Sequence, residues 1–230
     1  MKKLILLLLV SLSITVKAQS KVEQNIGDFT TLKVFNGIEL ELIKSSENKV
    51  VITGDKSEDV KIKNIDKTLK FSLPFSLNPK KNSANGEILI KLYYNSTLEV
   101  IDANEGATIT GKDINQTKLE VKSQERALIN LVVNISETIH IKCSSGGVIK
   151  LTGTTKNQET VLDLYGVFHG FNLTTEIDTN INAESGAKAE INSGKNLVAK
   201  VGFGGSIFYK GNPEKKEEKK VIGGIIQKRN

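Results

Sequence analysis

The chain has 230 residues, a formal net charge of +6, 5% aromatic residues, no tryptophan and a single cysteine. Two arginines only, Arg126 and Arg229, and no lysine block on one stretch exclude a nucleic-acid partner of the usual basic-face type. One thiol cannot form an internal bridge, and scarce rings mean a core of Ile, Leu and Val in thin layers.

The chain opens on Met1-Lys2-Lys3, an apolar run Leu4–Val10, a mixed stretch Ser11–Val16, and Lys17-Ala18-Gln19. That order of charged, apolar and small-residue regions predicts a signal peptide over residues 1–18, cleaved after Ala18. The run is too short for a spanning helix, which needs about 20 apolar residues. No cysteine near the cleavage point offers a lipid attachment site. Removal of Lys2, Lys3 and Lys17 halves the basic excess of residues 19–230.

Period-two alternation follows. Ile38, Leu40 and Leu42 alternate with Glu39 and Glu41; Val60 and Ile62 with Lys61 and Lys63; Ile88, Ile90, Leu92 and Tyr94 form one apolar face. This predicts strands with one buried side. Residues 74–87, rich in Asn, Ser and Lys with Pro74 and Pro79, read as a long loop. No segment after residue 18 has a helical period.

From Leu98 onward the chain repeats. Alternating apolar pairs begin at Leu98, Leu119, Ile139, Leu162, Ile181 and Leu197, spaced by about twenty residues. Each is followed by a small residue (Gly106, Ala127, Gly147, Gly170, Ala189, Gly205) and then a hydrophobe (Ile109, Ile129, Ile149, Leu173, Ile191, Ile207). A unit of strand, small-residue corner and strand cannot bury its apolar side alone, but a stack of units can. The expectation is an all-β fold, a single-stranded parallel β-helix or β-solenoid with coils of about 20 residues. A β-sandwich is the competing arrangement, yet its hairpins need no small residue at one recurrent place. The interleaved charges of 214–220 read as a solvated loop, and 221–226 as a short terminal strand.

The segment Phe29-Thr-Thr-Leu32-Lys-Val34-Phe-Asn36-Gly37-Ile38-Glu-Leu40 resembles the start of the exported GIN-domain family of Bacteroidetes envelopes, also described as "putative auto-transporter adhesin head domains". Val50–Gly54, the glycine-centred repeats and Tyr209-Lys-Gly211-Asn-Pro213 fit the same family. The resemblance spans about residues 26–226. It implies a parallel β-helix and an adhesin-like role, and it carries no catalytic residues. The chain departs from the family's Gly-Ser-Gly corners at Gln124-Glu125-Arg126-Ala127.

Chemistry is sparse. Asp102, Glu105, Glu125, Asp163 and Glu184 lie between first strands and corners but at different offsets, and no calcium nonapeptide is present. His140 reads as an outward strand residue and His169 as a corner residue. Cys143, alternating with Ile139 and Ile141, reads as a buried small hydrophobe. The candidate contact residues are Tyr165, Phe168, His169, Phe171 and Phe203, rings that would stack on a sugar, fill a partner's pocket or plug the interior. No cofactor or metal is expected. The reading is an exported, noncatalytic cell-envelope module, periplasmic or on the outer surface, whose partner is a surface glycan or an envelope protein. A carbohydrate-active β-helix enzyme is the alternative, and a self-assembling scaffold is opposed by the 214–220 charges.

Overall fold

A computed structural model describes residues 21–78 and 82–230. The expected signal segment at 1–18 and Pro79 lie outside the described residues. The chain forms a β-solenoid of parallel coils. Four long strands build its centre: β9 (Thr108–Ser123), β10 (Leu128–Cys143), β11 (Val148–Leu162) and β12 (Val167–Ala183). They follow β1 (Lys21–Asn25), β2 (Thr31–Val34), β3 (Glu39–Lys44), β4 (Lys49–Thr53), β5 (Lys61–Ile65), β6 (Thr68–Ser72), β7 (Leu89–Tyr94) and β8 (Val100–Ala103). After them come β13 (Lys188–Asn192), β14 (Asn196–Val201), β15 (Ser206–Lys210), β16 (Lys215–Lys220) and β17 (Ile225–Lys228).

Each long strand breaks register near its middle, as β10 does between Ile135 and Thr138. Its first half therefore joins one ladder and its second half another. In the first ladder, Ile90, Leu40, Ile109, Ile129, Ile149, Phe168, Ala189, Ile207 and Ile226 stand in register as one inward column. In the second, Leu69, Leu32, Ile101, Val121, Ile141, Thr160, Ile181 and Ala199 do the same. The pleat sends every second side chain inward, and neighbouring strands about 4.8 Å apart bring equivalent residues into contact. Both ladders bury their columns in one apolar cluster. Each fully buried Ile or Leu contributes about 1.5–3 kcal/mol of transfer free energy.

Phe168 is the wide member of its column. Its ring is housed because the next coil offers Ala189 and because Gly170 has no side chain. A Cβ on Gly170 would stand 2.4 Å from the ring edge.

The repeat is real, but two of its units are framed differently from the sequence expectation. Leu119, Ile139 and Leu197 share a column, whereas the fourth and fifth members are Gln158 and Thr179 rather than Leu162 and Ile181. Leu162 lies beside Cys143 two inward columns further on. Polar residues occupy core positions in these coils: Gln158, Thr160, Thr175 and Thr179 are all buried. The Gln158 amide donates to Thr160 Oγ1 at 2.9 Å, and the Thr175 hydroxyl donates to Gln158 Oε1 at 3.1 Å. Mutual hydrogen bonding makes their burial tolerable, and it hides the apolar alternation.

The corners are four-residue turns: Phe35–Ile38, 104–107, 124–127, 144–147, 163–166, 184–187, 202–205 and 221–224. In each, the fourth N–H donates to the first carbonyl, as Ala127 does to Gln124 at 3.1 Å. In most, both central residues have positive φ, for example Glu125 at 54° and Arg126 at 63°. This mirror-image geometry matches the strand twist and normally selects Asn-Gly. The turns also bond to one another: the third N–H of one coil donates to the second carbonyl of the next, as in Gly106 to Glu125, Arg126 to Ser145 and Gly186 to Phe203. The corner at 124–127 thus keeps the common geometry without glycine. After the Phe35–Ile38 turn the fourth position is always small, and at Gly147 even a Cβ would sit 2.4 Å from the Ser123 carbonyl. The recurrent small residues there are Ala107, Ala127, Gly147, Gly166, Ala187 and Gly205; Gly170 and Ala189 belong to strands instead.

The first third backtracks. The β2–β3 coil lies between the β6–β7 coil and the β8–β9 coil. β5 pairs antiparallel with β6, and β4 with β7, and β1 with β4, closing that end of the stack. Asn48 pins the closure, accepting from the Asn95 N–H at 3.0 Å and donating to Asp28 at 3.0 Å.

The other end is protected by charge. Residues 215–220 are a strand, β16, paired in register with β14, and not a loop. Parallel pairing to β14 supplies backbone bonds that the charged side chains cannot veto. Lys216, Glu218 and Lys220 continue the inward columns of Leu197, Ala199 and Val201. Inward-pointing charges discourage a further strand from adding to the edge. Residues 221–224 form a turn and the last strand is Ile225–Lys228, a shift from the expected 221–226.

Candidate functional site

The structure separates the five candidate residues into three places. Phe168 is fully buried in the core column and is not available for contact. Tyr165 and Phe203 stand on corner turns. His169 and Phe171 are on β12, not in a corner, because the turn ends at Gly166.

Phe171 opens onto a groove of about 370 Å³ on the first ladder, lined also by Lys188, Glu190, Phe208, Lys210 and Arg229. Period two turns Phe208 outward between inward Ile207 and Tyr209, and register sets it beside Glu190. Lys210 Nζ lies 5.0 Å from the Phe171 ring centre, and Arg229 lies 4.6 Å from that of Phe208. Lys188 is 5.7 Å from Phe208 and bonds Glu190 at 2.9 Å. His169 Nδ1 stands 2.8 Å from the other Glu190 oxygen. Burial works to raise the Glu190 carboxyl, but the His169 and Lys188 hydrogen bonds outweigh it and hold it below the usual carboxylate value. The groove thus carries two ring faces, three fixed cations and one carboxylate that is already engaged. Phe208, Lys210 and Arg229 escaped the sequence reading, although the alternation Ile207-Phe208-Tyr209 already points the middle ring outward.

The second feature is a ridge along the corners. Leu164 (50% exposed) and Tyr165 (72%) occupy the central positions of one turn, Phe203 (61%) of the turn two coils on, and Ile222 (76%) of the next. Ser185-Gly186 fills the turn between, and the Tyr165 ring lies over Gly186, where a Cβ would come within 2.6 Å of it. Leu164, Tyr165 and Phe203 hold positive φ of 44°, 62° and 48°. For bulky residues this is a genuine outlier, costing roughly 1 kcal/mol or more each, and the side chains stay at least half exposed.

The carboxylates pair differently from expectation. Glu105 and Glu125 occupy the same turn position in adjacent coils, as do Asp163 and Glu184. They stand on a convex edge, and Glu105 is bonded by the Asn36 side chain. Asp102 is buried, accepting from Asn104 at 2.8 Å. A separate groove of about 470 Å³, opened where Lys112 and Asp113 bulge from β9, holds Glu41 and Asp113 together with Lys44 and Lys112. Among the described residues no group of three His, Cys, Asp or Glu side chains could hold a metal ion. Cys143 is buried, its thiol pushed up to about 11 by that burial, and is inert in this state. His140 faces outward and contacts Glu159 at 3.0 Å. No helix among the described residues is long and apolar enough to cross a membrane.

No curated protein is recognisably similar in sequence. Solved structures share the fold. A "putative adhesin" from Bacteroides fragilis superposes with a TM-score of 0.79 at 19% identity, covering 93% of this chain and 98% of the other. A "putative adhesin" from Parabacteroides merdae gives 0.62 at 20% identity, over 94% and 98%. A "putative lipid binding protein" from Parabacteroides distasonis gives 0.65 at 15% identity, over 94% and 98%. At these identities the likeness is one of fold. Residues 28–213 match a family model spanning most of the solenoid, and the chain belongs to the family described as "putative auto-transporter adhesin, head GIN domain".

Proposed function

We propose that the protein is exported by its 1–18 signal segment and acts in the cell envelope as a noncatalytic, adhesin-like module that binds an acidic glycan. The observation that carries this is the groove of Phe171 and Phe208 with Lys188, Lys210 and Arg229. Ring faces stack on the C–H faces of sugars, and the cations suit carboxylate or sulfate substituents. The groove is open, as a binding surface for a chain-like ligand has to be. The test is a glycan array followed by titration of hits against wild type, Phe208→Ala and Lys210→Ala. Acidic glycans are expected to bind, with Phe208→Ala weakening them about tenfold, or about 1.4 kcal/mol. Equal binding by the variants, or preference for neutral sugars, defeats the proposal. N-terminal sequencing of the exported protein should begin at Gln19.

One observation favours the enzyme reading: Glu41 and Asp113 share a groove, and glycosidases use carboxylate pairs. Two lysines in the same groove and the engagement of other carboxylates weigh towards binding. Release of reducing ends from any polysaccharide, abolished by Asp113→Asn, would favour catalysis instead.

A further inference from the structure

The corner ridge does not belong to the glycan groove. We infer that it is a docking surface for a lipid bilayer bearing anionic headgroups, touching the membrane through Leu164, Tyr165, Phe203 and Ile222. These side chains project from turn tips along one edge of the stack, where the turns at 104–107 and 144–147 carry Glu105 and Ser145. A row of separate protruding anchors, with only a shallow depression of about 150 Å³ beside Phe203, matches a deformable apolar phase better than a shaped protein partner. Three of the four sit at left-handed backbone positions that disfavour them, and water gives them no compensation. Tyr is a residue of the membrane–water interface, and Phe and Leu are the apolar anchors of surface-lying segments.

The charge beside the ridge is complementary to such a surface. Lys200 and Lys219 stand in register on β14 and β16 and line the same depression as Phe203 and Val221. Glu184 is the carboxylate lining that depression, and it accepts from Asn182 Nδ2 at 3.2 Å. Asp163, at the base of the ridge, accepts the Leu164 N–H at 2.7 Å. Lysines flanking apolar anchors add attraction to anionic lipid that falls with ionic strength.

The chain contains no tryptophan, so Phe203→Trp places a single tryptophan, excited apart from the tyrosines, at the ridge. With phosphatidylcholine vesicles containing phosphatidylglycerol, the purified protein is expected to co-sediment and the Phe203→Trp emission to shift to the blue, both diminished by salt. Pure phosphatidylcholine vesicles should bind more weakly. Leu164→Asn with Phe203→Asn and Ile222→Asn should reduce co-sedimentation by about tenfold while leaving the glycan titration unchanged and the circular dichroism melt no lower than that of wild type. Should that variant misfold, Lys200→Glu with Lys219→Glu, ridge intact, should give a comparable loss. No binding to the anionic vesicles, an unshifted emission, unchanged binding by folded variants, or capture of a soluble protein by the ridge while vesicles stay unbound would each overturn the inference.

Discussion

The coils before Cys143 and those after it solve the same stacking problem with opposite placements. In the earlier coils the columns are mostly Ile, Leu and Val, with Ala103 and Ser123 at one position, and the turn tips carry Asn36, Glu105 and Glu125. In the later coils Gln158, Thr160, Thr179, Ala183, Ala189 and Ala199 stand inside, while Leu164, Tyr165, Phe203 and Ile222 stand outside. Backbone pairing between coils runs through both, with register breaks in each. A solenoid therefore tolerates a poorer core locally, because each coil is held on two sides by neighbours. The apolar residues moved outward are then free to serve a surface role.

The largest contrast should appear within one column. Ile129→Ala removes buried methyl groups between Ile109 and Ile149 and is expected to cost about 2–5 kcal/mol. The reverse exchange two coils after Ile149, Ala189→Ile, presses on the Phe168 ring and should cost about 1–3 kcal/mol. Urea denaturation measures both. If Ile129→Ala proves as mild as a surface change, the earlier coils are not the apolar half that the columns describe.

The polar core should respond next. Thr160→Val strands the Gln158 amide and is expected to cost about 1–3 kcal/mol. Gln158→Leu with Thr160→Val and Thr175→Val removes the whole network at similar volume and should restore or exceed wild-type stability. A triple variant less stable than Thr160→Val alone would mean that these residues do more than satisfy one another.

The same contrast explains what could be read in the sequence. Where inward positions are apolar the register was legible: Ile109, Ile129, Ile149 and Ile207 do share a column, and Leu119 aligns with Ile139. Around Leu162 the pattern slid, because Gln158 and Thr160 look like surface residues and Leu164 looks like core. Charge misled at β16 for the same reason: a strand whose partner supplies the backbone bonds need not alternate. Backtracking of β2–β3 between β6–β7 and β8–β9 has no local signature, since it depends on pairings far apart in the chain. Of the contact residues, Tyr165 and Phe203 were legible as turn tips, whereas Phe168 is indistinguishable from them until register shows it facing inward.

Corner exchanges should give a smaller effect of opposite sign in the two halves. Leu164→Asn and Phe203→Asn suit the left-handed positions and should each raise stability by up to about 1 kcal/mol. Asn36→Leu places the same mismatch in the earlier half. It also removes the side chain that bonds Glu105 and accepts the Leu73 N–H at 2.9 Å, so it should destabilise. Melting temperatures decide this, and destabilisation by Phe203→Asn would show that its ring packs on the protein after all.

The smallest effect is electrostatic. Each half has one partly buried carboxylate between two nitrogen partners: Glu120 with Lys122 and Lys142, and Glu190 with Lys188 and His169. In both, burial opposes ionisation and the hydrogen bonds from these partners prevail, leaving the carboxyl below its ordinary value of 4.5. A lowered folded-state pKa contributes stability that is fully present above the ordinary value and is lost as pH falls through the lowered one. Glu190→Gln should therefore be less stable than wild type at neutral pH, by about 0.5 kcal/mol, and the difference should close on acidification. Glu120→Gln should behave alike in the earlier half. A gap that stays constant or widens towards acid would mean that the carboxylate is not what its hydrogen-bonding neighbours stabilise.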